Sequence, residues 1–357
     1  MLQRHQTSIE GGAEGWHRSL DHFRWRPANA ACCAIGTPAV RTSPALWCIG
    51  PGRAEARPGQ MGDGVLVEAL YSGISRGTER LVLQGRVPES EHDRMRGPAM
   101  EGTFPFPVKY GYSAVGRVAE GRLAGRTVFA LHPHQTRFRL PEEALTPLPD
   151  GLPPTRAVLG ANMETALTLL WDSGAGPGDR IAVVGAGVVG ALTGYLAARL
   201  PGAEVTLVDT NPDRAALAQA LGCTFAAPSA APEDCDVVLH LSATGAGLET
   251  AVNCAGFEAT VLEGSWYGAG TVPVPLGGAF HSRRLRIVGS QVGRIPTARA
   301  PRWTYARRLS KTLDLLRDPV LDMLISGETE FAELPDVYAA ILSDPDTLCH
   351  RIRYDTQ

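Results

Sequence analysis

Residues 180–209 constrain this chain more than any other segment. Arg180–Gly185 is a short β-branched run, and Gly185-Ala186-Gly187-Val188-Val189-Gly190 stands directly behind it. That hexad opens an apolar segment that reads as a helix to about Arg199, and Asp209 ends the next strand-like run, Glu204–Asp209. A G-x-G-x-x-G turn between strand and helix, with an acid about 20 residues on, is the form a chain takes to hold a dinucleotide. Gly185 permits the tight turn, Gly187 lets a pyrophosphate reach the backbone, and Gly190 lets the helix pack on the strand. The helix N-terminus, at Val188 and Val189, then offers free N–H groups and a positive dipole end to the phosphates. Asp209 is expected to accept hydrogen bonds from the adenosine ribose diol and to repel a 2′-phosphate. Thr210 behind it is not basic, so NAD(H) is expected and NADP(H) disfavoured. Ile181–Ala198 carries no charge and is about long enough to cross a bilayer. Its four glycines and its division into a β-like and a helix-like half speak against a membrane span.

Further strands alternate with helices around the fingerprint: Pro212–Leu221 (helix), Asp236–Leu241 (strand), Ala246–Cys254 (helix), Ala259–Glu263 and Leu285–Gly289 (strands). This alternation predicts βαβ units and a doubly wound parallel sheet over 156–290. Upstream the style differs. Ala45–Ile49, Gly64–Tyr71, Gly111–Ala119, Arg126–Leu131 and Thr136–Leu140 are short strands punctuated by Gly and Pro, which suits a small β-barrel. Thr155–Trp171 reads as one or two helices. The chain closes with helices at Trp303–Leu316 and Leu334–Leu342 and a strand at His350–Tyr354. The β-rich domain is therefore placed at 44–155 and 291–357, around the inserted sheet domain. Residues 1–43 show no sustained period and are read as a mobile extension.

Composition narrows the function. With 34 Lys+Arg against 37 Asp+Glu, the net charge of −3 gives no electrostatic case for nucleic acid or an anionic membrane. The seven cysteines, an odd number with no C-x-x-C pair, argue against a disulfide framework or a zinc ribbon. Reduced, mostly buried thiols in a cytoplasmic protein are expected.

Three segments carry a family resemblance. Tyr71-Ser72-Gly73-Ile74-Ser75-Arg76-Gly77-Thr78-Glu79 resembles the S-G-I-C-G-T-D segment of the medium-chain dehydrogenase/reductase superfamily. Lys109-Tyr110-Gly111-Tyr112-Ser113-Ala114-Val115-Gly116 resembles its P-G-H-E-x-x-G-x-V segment, and Thr165-Ala166 its T-A pair leading into the cofactor domain. The resemblance spans about Ala45 to Tyr354. It implies a GroES-like barrel beside a Rossmann domain, and a homodimer paired edge to edge near Leu285–Gly289. The S-G-I-S-x-G-T-E variant is closest to zinc-independent members, those similar to hydroxyethyl-bacteriochlorophyllide dehydrogenases and to threonine- or alcohol-dehydrogenase-like proteins. A shared scaffold does not transfer the pigment substrate.

The departures matter more than the matches. The resemblance puts the family's zinc ligands at Ser75 or Arg76, at Tyr112 with Ser113 beside it, and at Ala161. Neutral hydroxyls and an alanine do not make a Zn²⁺ site, so no zinc is expected. Glu79, Glu101, His132 and His134 are the alternative donors to be weighed, and the bland reading makes them hydrogen-bonding groups. Without a Lewis acid, hydrogen bonds and a general acid/base must polarise the substrate oxygen. Tyr112 is the first candidate; it would donate in reduction, and accept in oxidation if its pKa were lowered. Ser75 and Thr78 are placed to orient the substrate oxygen. Glu79 is read as tying down Arg76 or Arg80, and Glu164 as a base or a solvent-facing carboxylate. Ser242, Thr244, Ser265 and Trp266 follow predicted strand ends and are expected, with Thr165, as cofactor neighbours. Phe280-His281-Ser282-Arg283-Arg284 is an anion site, a solvated basic turn or part of a dimer contact.

The leading reading is a zinc-independent, NAD(H)-dependent dehydrogenase/reductase acting on C–OH/C=O of a small molecule. A quinone or enoyl reductase acting on C=C and a non-catalytic nucleotide-binding or redox-sensing protein are the competing readings.

Overall fold

A parallel sheet forms wherever the apolar runs are continuous and flanked by helices. The computed structural model describes residues 41–355, and the expected extension, 1–43, lies almost wholly outside the described residues. Six parallel strands stand in the order Thr224–Ala226, Glu204–Val208, Arg180–Val184, Cys235–His240, Ala255–Glu263, Arg286–Gly289. Numbered along the chain, this is the 3-2-1-4-5-6 order of a doubly wound dinucleotide fold. Ile181, Val183, Leu207 and Leu239 are fully buried, as strands covered on both faces require. Helices Val188–Ala197, Arg214–Ala220 and Gly245–Cys254 make the crossovers, and Gly160–Ser173 packs on the first of them. The uncharged stretch Ile181–Ala198 divides into strand and helix as expected. Among the described residues, no helix is long and apolar enough to cross a membrane.

The β-rich part holds a seven-stranded sheet, centred on Val65–Ser75 and Ala114–Val118, and a four-stranded sheet built on the hairpin Thr42–Gly50/Arg53–Gln60. The final strand, Cys349–Arg353, pairs antiparallel with Val65–Ser75 and parallel with Ile325–Glu330, so the chain's return completes the first sheet.

Three elements escape the sequence pattern. Arg53–Gln60 (RAEARPGQ) is a largely exposed polar strand, held by its pairing with Thr42–Gly50, and lies where the sequence pattern places no strand. Ile325–Glu330 is likewise polar and half-buried, and pairing alone makes it a strand. Arg76–Leu83 is a helix despite Gly77 in its first turn, because Leu81, Val82 and Leu83 bury one face.

Candidate active site

The fingerprint turn is built as its glycines demand. Gly185 has φ +107°, a conformation that side chains rarely adopt. A Cβ on Gly190 would drive into the carbonyl oxygen of Gly185, so the helix meets the turn backbone to backbone. Gly187 is different: a Cβ there would meet nothing within 4 Å. The space before the helix N-terminus is open, and the first intrahelical bond is Ala191 N–H to the Gly187 carbonyl at 2.8 Å. The N–H groups of Val188, Val189 and Gly190 precede that bond and are the unpaired donors of a helix start. This cradle fits a pyrophosphate.

Asp209 holds the turn as well as facing it. Its Oδ2 accepts the Ala186 N–H at 2.6 Å and its Oδ1 the Asn211 N–H at 2.9 Å. Each oxygen keeps a lone pair for a ribose hydroxyl. Arg214 nearby donates to the carbonyls of Pro345 and Asp346, at 3.3 and 2.9 Å.

Ser242 and Thr244 follow the fourth strand, across from the fingerprint; a Cβ on Gly185 would stand 2.7 Å from the Ser242 nitrogen. Thr244 caps the helix Gly245–Cys254 by accepting the Gly247 N–H at 3.0 Å. Ser265 Oγ accepts the Ala243 N–H at 3.1 Å and donates to the His240 carbonyl at 3.2 Å. Thr165, half-exposed, returns its hydroxyl to the Ala161 carbonyl at 3.1 Å. Trp266, partly buried, packs against the core of the β-rich part.

The second group lies in the β-rich part. Ser75 sits at the start of the helix Arg76–Leu83, and Asn162 Nδ2 points at its Oγ from 3.4 Å. Tyr112 is half-buried at the meeting of the two largest core clusters. Burial and the nearby Glu79 carboxylate push its phenol up to about 12, although hydrogen bonding with Ser75 and Thr78 opposes the rise. The condition set for accepting a proton, a lowered pKa, is not met, and the raised value suits the donor role. Asn162 is a residue that sequence reasoning missed, since an amide in a helix otherwise buried carries no motif.

Glu79 does not hold an arginine, which corrects that expectation. Its fully buried carboxylate accepts the Ser75 N–H (2.7 Å), the Tyr338 hydroxyl (2.6 Å) and a hydrogen bond from His134 Nε2 (3.0 Å). His134 Nδ1 continues to Ser72 Oγ at 2.8 Å, and Ser72 to the Tyr354 hydroxyl at 2.8 Å. The network fixes the loop carrying Ser75 by a set of buried hydrogen bonds.

Nor do the alternative metal donors converge. His132 stacks on Phe138, with ring centroids 3.9 Å apart, and bonds the Pro133 carbonyl at 2.9 Å; Glu101 is paired with Lys109. Among the described residues no group of three His, Cys, Asp or Glu side chains is arranged to hold a metal ion. Cys48, Cys223, Cys235, Cys254 and Cys349 are free and buried. Ser113 spends its hydroxyl on the Val158 carbonyl at 2.6 Å, and Ala161 is buried. A hydroxyl, a phenol held protonated and a methyl group do not fit a zinc ion, which needs thiolate, imidazole or carboxylate.

Burial pushes the His132 imidazole down to about 3, so it folds neutral. A depressed pKa contributes stability above pH 6.5, the ordinary value, and that stability fades as pH falls toward 3. On the order of 4 kcal/mol is at stake over that window. His132→Phe is expected to flatten the acid limb of an unfolding curve; a limb unchanged from wild type would contradict this.

Glu164 does not face solvent, which corrects that alternative. It is buried in an ion pair with Arg308 (Nε to Oε1, 2.9 Å), whose Nη1 also reaches Thr168 at 3.1 Å. Burial raises its carboxyl above the ordinary range even as Arg308 opposes the rise. In the basic segment, Arg283 caps the carbonyls of Asn253 and Ala255 at 3.3 and 2.8 Å, and exposed Arg284 pairs with Glu258. Phe280, His281 and Ser282 end a short helix, Gly278–Ser282, where a loop was expected, and the two arginines follow it.

No protein-family model matches the chain. Solved structures do resemble it in fold. A dehydrogenase of the zinc-binding type from Sinorhizobium meliloti 1021, bound to NADP, has a TM-score of 0.68 at 20% identity, over 88% of this chain and 99% of that one. Alcohol dehydrogenase TADH from Thermus sp. ATN1 gives 0.67 at 19% identity, over 87% and 100%. L-idonate 5-dehydrogenase from Escherichia coli gives 0.70 at 14% identity, over 88% and 98%. At these identities the likeness establishes a Rossmann sheet beside a GroES-like barrel, as expected from the sequence.

Proposed function

We propose that the chain is a zinc-independent dehydrogenase/reductase of the medium-chain superfamily that moves hydride between NAD(H) and a C–OH/C=O group of a small molecule. The observation that carries this reading is the open cradle at Gly187, with unpaired helix N–H groups on one side and Asp209 on the other. The solved proteins of like fold, named alcohol and L-idonate dehydrogenases, support the reaction class.

Bound NAD supplies the hydride acceptor or donor. The chain's own residues must then orient and polarise the substrate oxygen. In the reduction direction Tyr112, kept protonated, gives its phenol proton to the carbonyl oxygen and regains one from solvent, and Ser75 and Thr78 orient that oxygen. Asn162 fixes the Ser75 hydroxyl. Asp209 favours NAD(H), and Arg214 beside it is already spent on carbonyls. Arg76 is the residue that favours NADP(H): its Nε is buried without a partner and it lies near Arg214. The experiment is deuteride transfer from 4-deuterated NADH to a panel of carbonyl compounds by protein freed of metal.

We also propose pairing of two copies along the edge strand Arg286–Gly289. Val288 on that strand and Phe257 on the neighbouring one are exposed, as are Val274 and Leu276 in the segment of chain between the two strands. An open apolar edge needs cover. Sedimentation is expected to give twice 38.0 kDa, and Val288→Lys to give the monomer. A wild-type monomer would contradict the pairing.

A further inference from the structure

A hydrogen-bonded chain runs from the interior of the parallel sheet to the cofactor crevice. His240 and Glu263 are register partners on adjacent strands, and His240 is fully buried. Glu263 Oε2 lies 2.7 Å from His240 Nδ1 and accepts the Tyr267 hydroxyl at 3.0 Å; Oε1 accepts the Ser265 N–H at 2.7 Å. On the other side of the ring, His240 Nε2 lies 2.7 Å from Ser242 Oγ, which lies 3.1 Å from Thr244 Oγ1. A Cβ on Gly247 would overlap Ser242 Oγ and stand 2.9 Å from Nε2, so only glycine leaves room for this chain.

The charge on the ring decides which way the hydroxyls point. Burial alone would raise the Glu263 carboxyl, but the hydrogen bonds from the His240 ring and the Ser265 N–H hold it below the ordinary range. Ionised Glu263 therefore takes the Nδ1 proton. With Nε2 bare, Ser242 spends its proton inward and offers the crevice only lone pairs. With Nε2 protonated, Ser242 accepts from the ring and its O–H turns outward as a donor. The titratable groups facing His240 are Glu263 and Tyr267. The neighbouring strand brings Val184 to it and the helix Gly245–Cys254 brings Gly247, neither charged.

We propose that the His240–Glu263 pair is a proton-accepting positioning unit that couples protonation of His240 to binding of a phosphate-bearing dinucleotide, by turning the Ser242 hydroxyl from acceptor to donor. One proton passes from solvent to Nε2, and no bond other than that N–H forms. The inference rests on the crevice taking a dinucleotide. Reciprocity requires a ligand that prefers the donor form to draw in a proton.

The test is calorimetric titration of the full chain with NADH in two buffers of different ionisation enthalpy, between about pH 6 and about pH 8. Wild type is expected to take up a fraction of one proton per NADH, with affinity falling about fivefold to tenfold from the acid to the alkaline end. His240→Gln keeps a hydrogen-bonding side chain that cannot titrate, and Ser242→Ala keeps the pair but cuts its link. Both should lose the proton uptake and the acid-side gain in affinity, leaving at most the weaker binding that wild type shows at the alkaline end. Uptake that persists in either variant, or is absent from wild type while NADH binds, overturns the coupling. A wild type that binds no NADH overturns the dinucleotide reading and this inference with it. Where His240→Gln does not fold, Ser242→Ala decides.

Discussion

Replacing Gly190 with alanine is expected to destabilise the protein by about 3 kcal/mol or more and to abolish NADH binding. The added Cβ has nowhere to go, since it would overlap the Gly185 carbonyl oxygen, and backbone cannot yield as the tip of a flexible side chain can. The helix Val188–Ala197 would have to lift from the strand Arg180–Val184, and the pyrophosphate cradle would open with it. Gly187→Val provides the contrast. Gly187 has φ −69° and ψ −177°, which valine tolerates, and its Cβ position is open. That variant should keep the wild-type melting temperature and still lose NADH, because the valine fills the space the phosphates need. Equal loss of stability in both variants would show that Gly187 is a packing glycine. NADH binding retained by Gly187→Val would remove the cradle from the account.

Glu164→Ala is expected to cost about 3–5 kcal/mol, because it leaves the buried guanidinium of Arg308 unpaired. A double variant, Glu164→Met with Arg308→Met, should recover most of that loss, since the expense lies in the orphaned charge and not in the missing attraction. A catalytic base would behave otherwise: Glu164→Ala would fold normally, turnover would fall, and the double variant would recover nothing. Thermal melts alongside turnover separate the two outcomes.

The parts of the fold that could be read from the sequence are those where side chains face one solvent. Arg180–Val184, Glu204–Val208 and Cys235–His240 are buried on both faces, so their apolar runs are continuous and their order follows from the crossovers. Arg53–Gln60 and Ile325–Glu330 were illegible because hydrogen bonds to a neighbouring strand, not side-chain burial, make them strands. The fingerprint and Asp209 could be read because phosphate approach requires glycine at fixed spacing. The partners of Glu79 could not. Tyr338 lies 259 residues from it and His134 lies 55, and no local pattern announces a contact over such separations. His240 carried a faint signal, a histidine inside the apolar run DVVLHL, but its meaning depends on Glu263 one strand away.

The proposed zinc-free hydride transfer rests on Ser75, Tyr112 and Ala161 standing at the positions that the family resemblance gives to metal ligands. Deuteride transfer from 4-deuterated NADH to a carbonyl panel, by protein stripped with a chelator and shown metal-free by elemental analysis, tests it most directly. The account predicts deuterium at the carbinol carbon of at least one product, at a rate that added Zn²⁺ does not change. Transfer that vanishes on stripping and returns with Zn²⁺, or no transfer to any member of the panel, would contradict it.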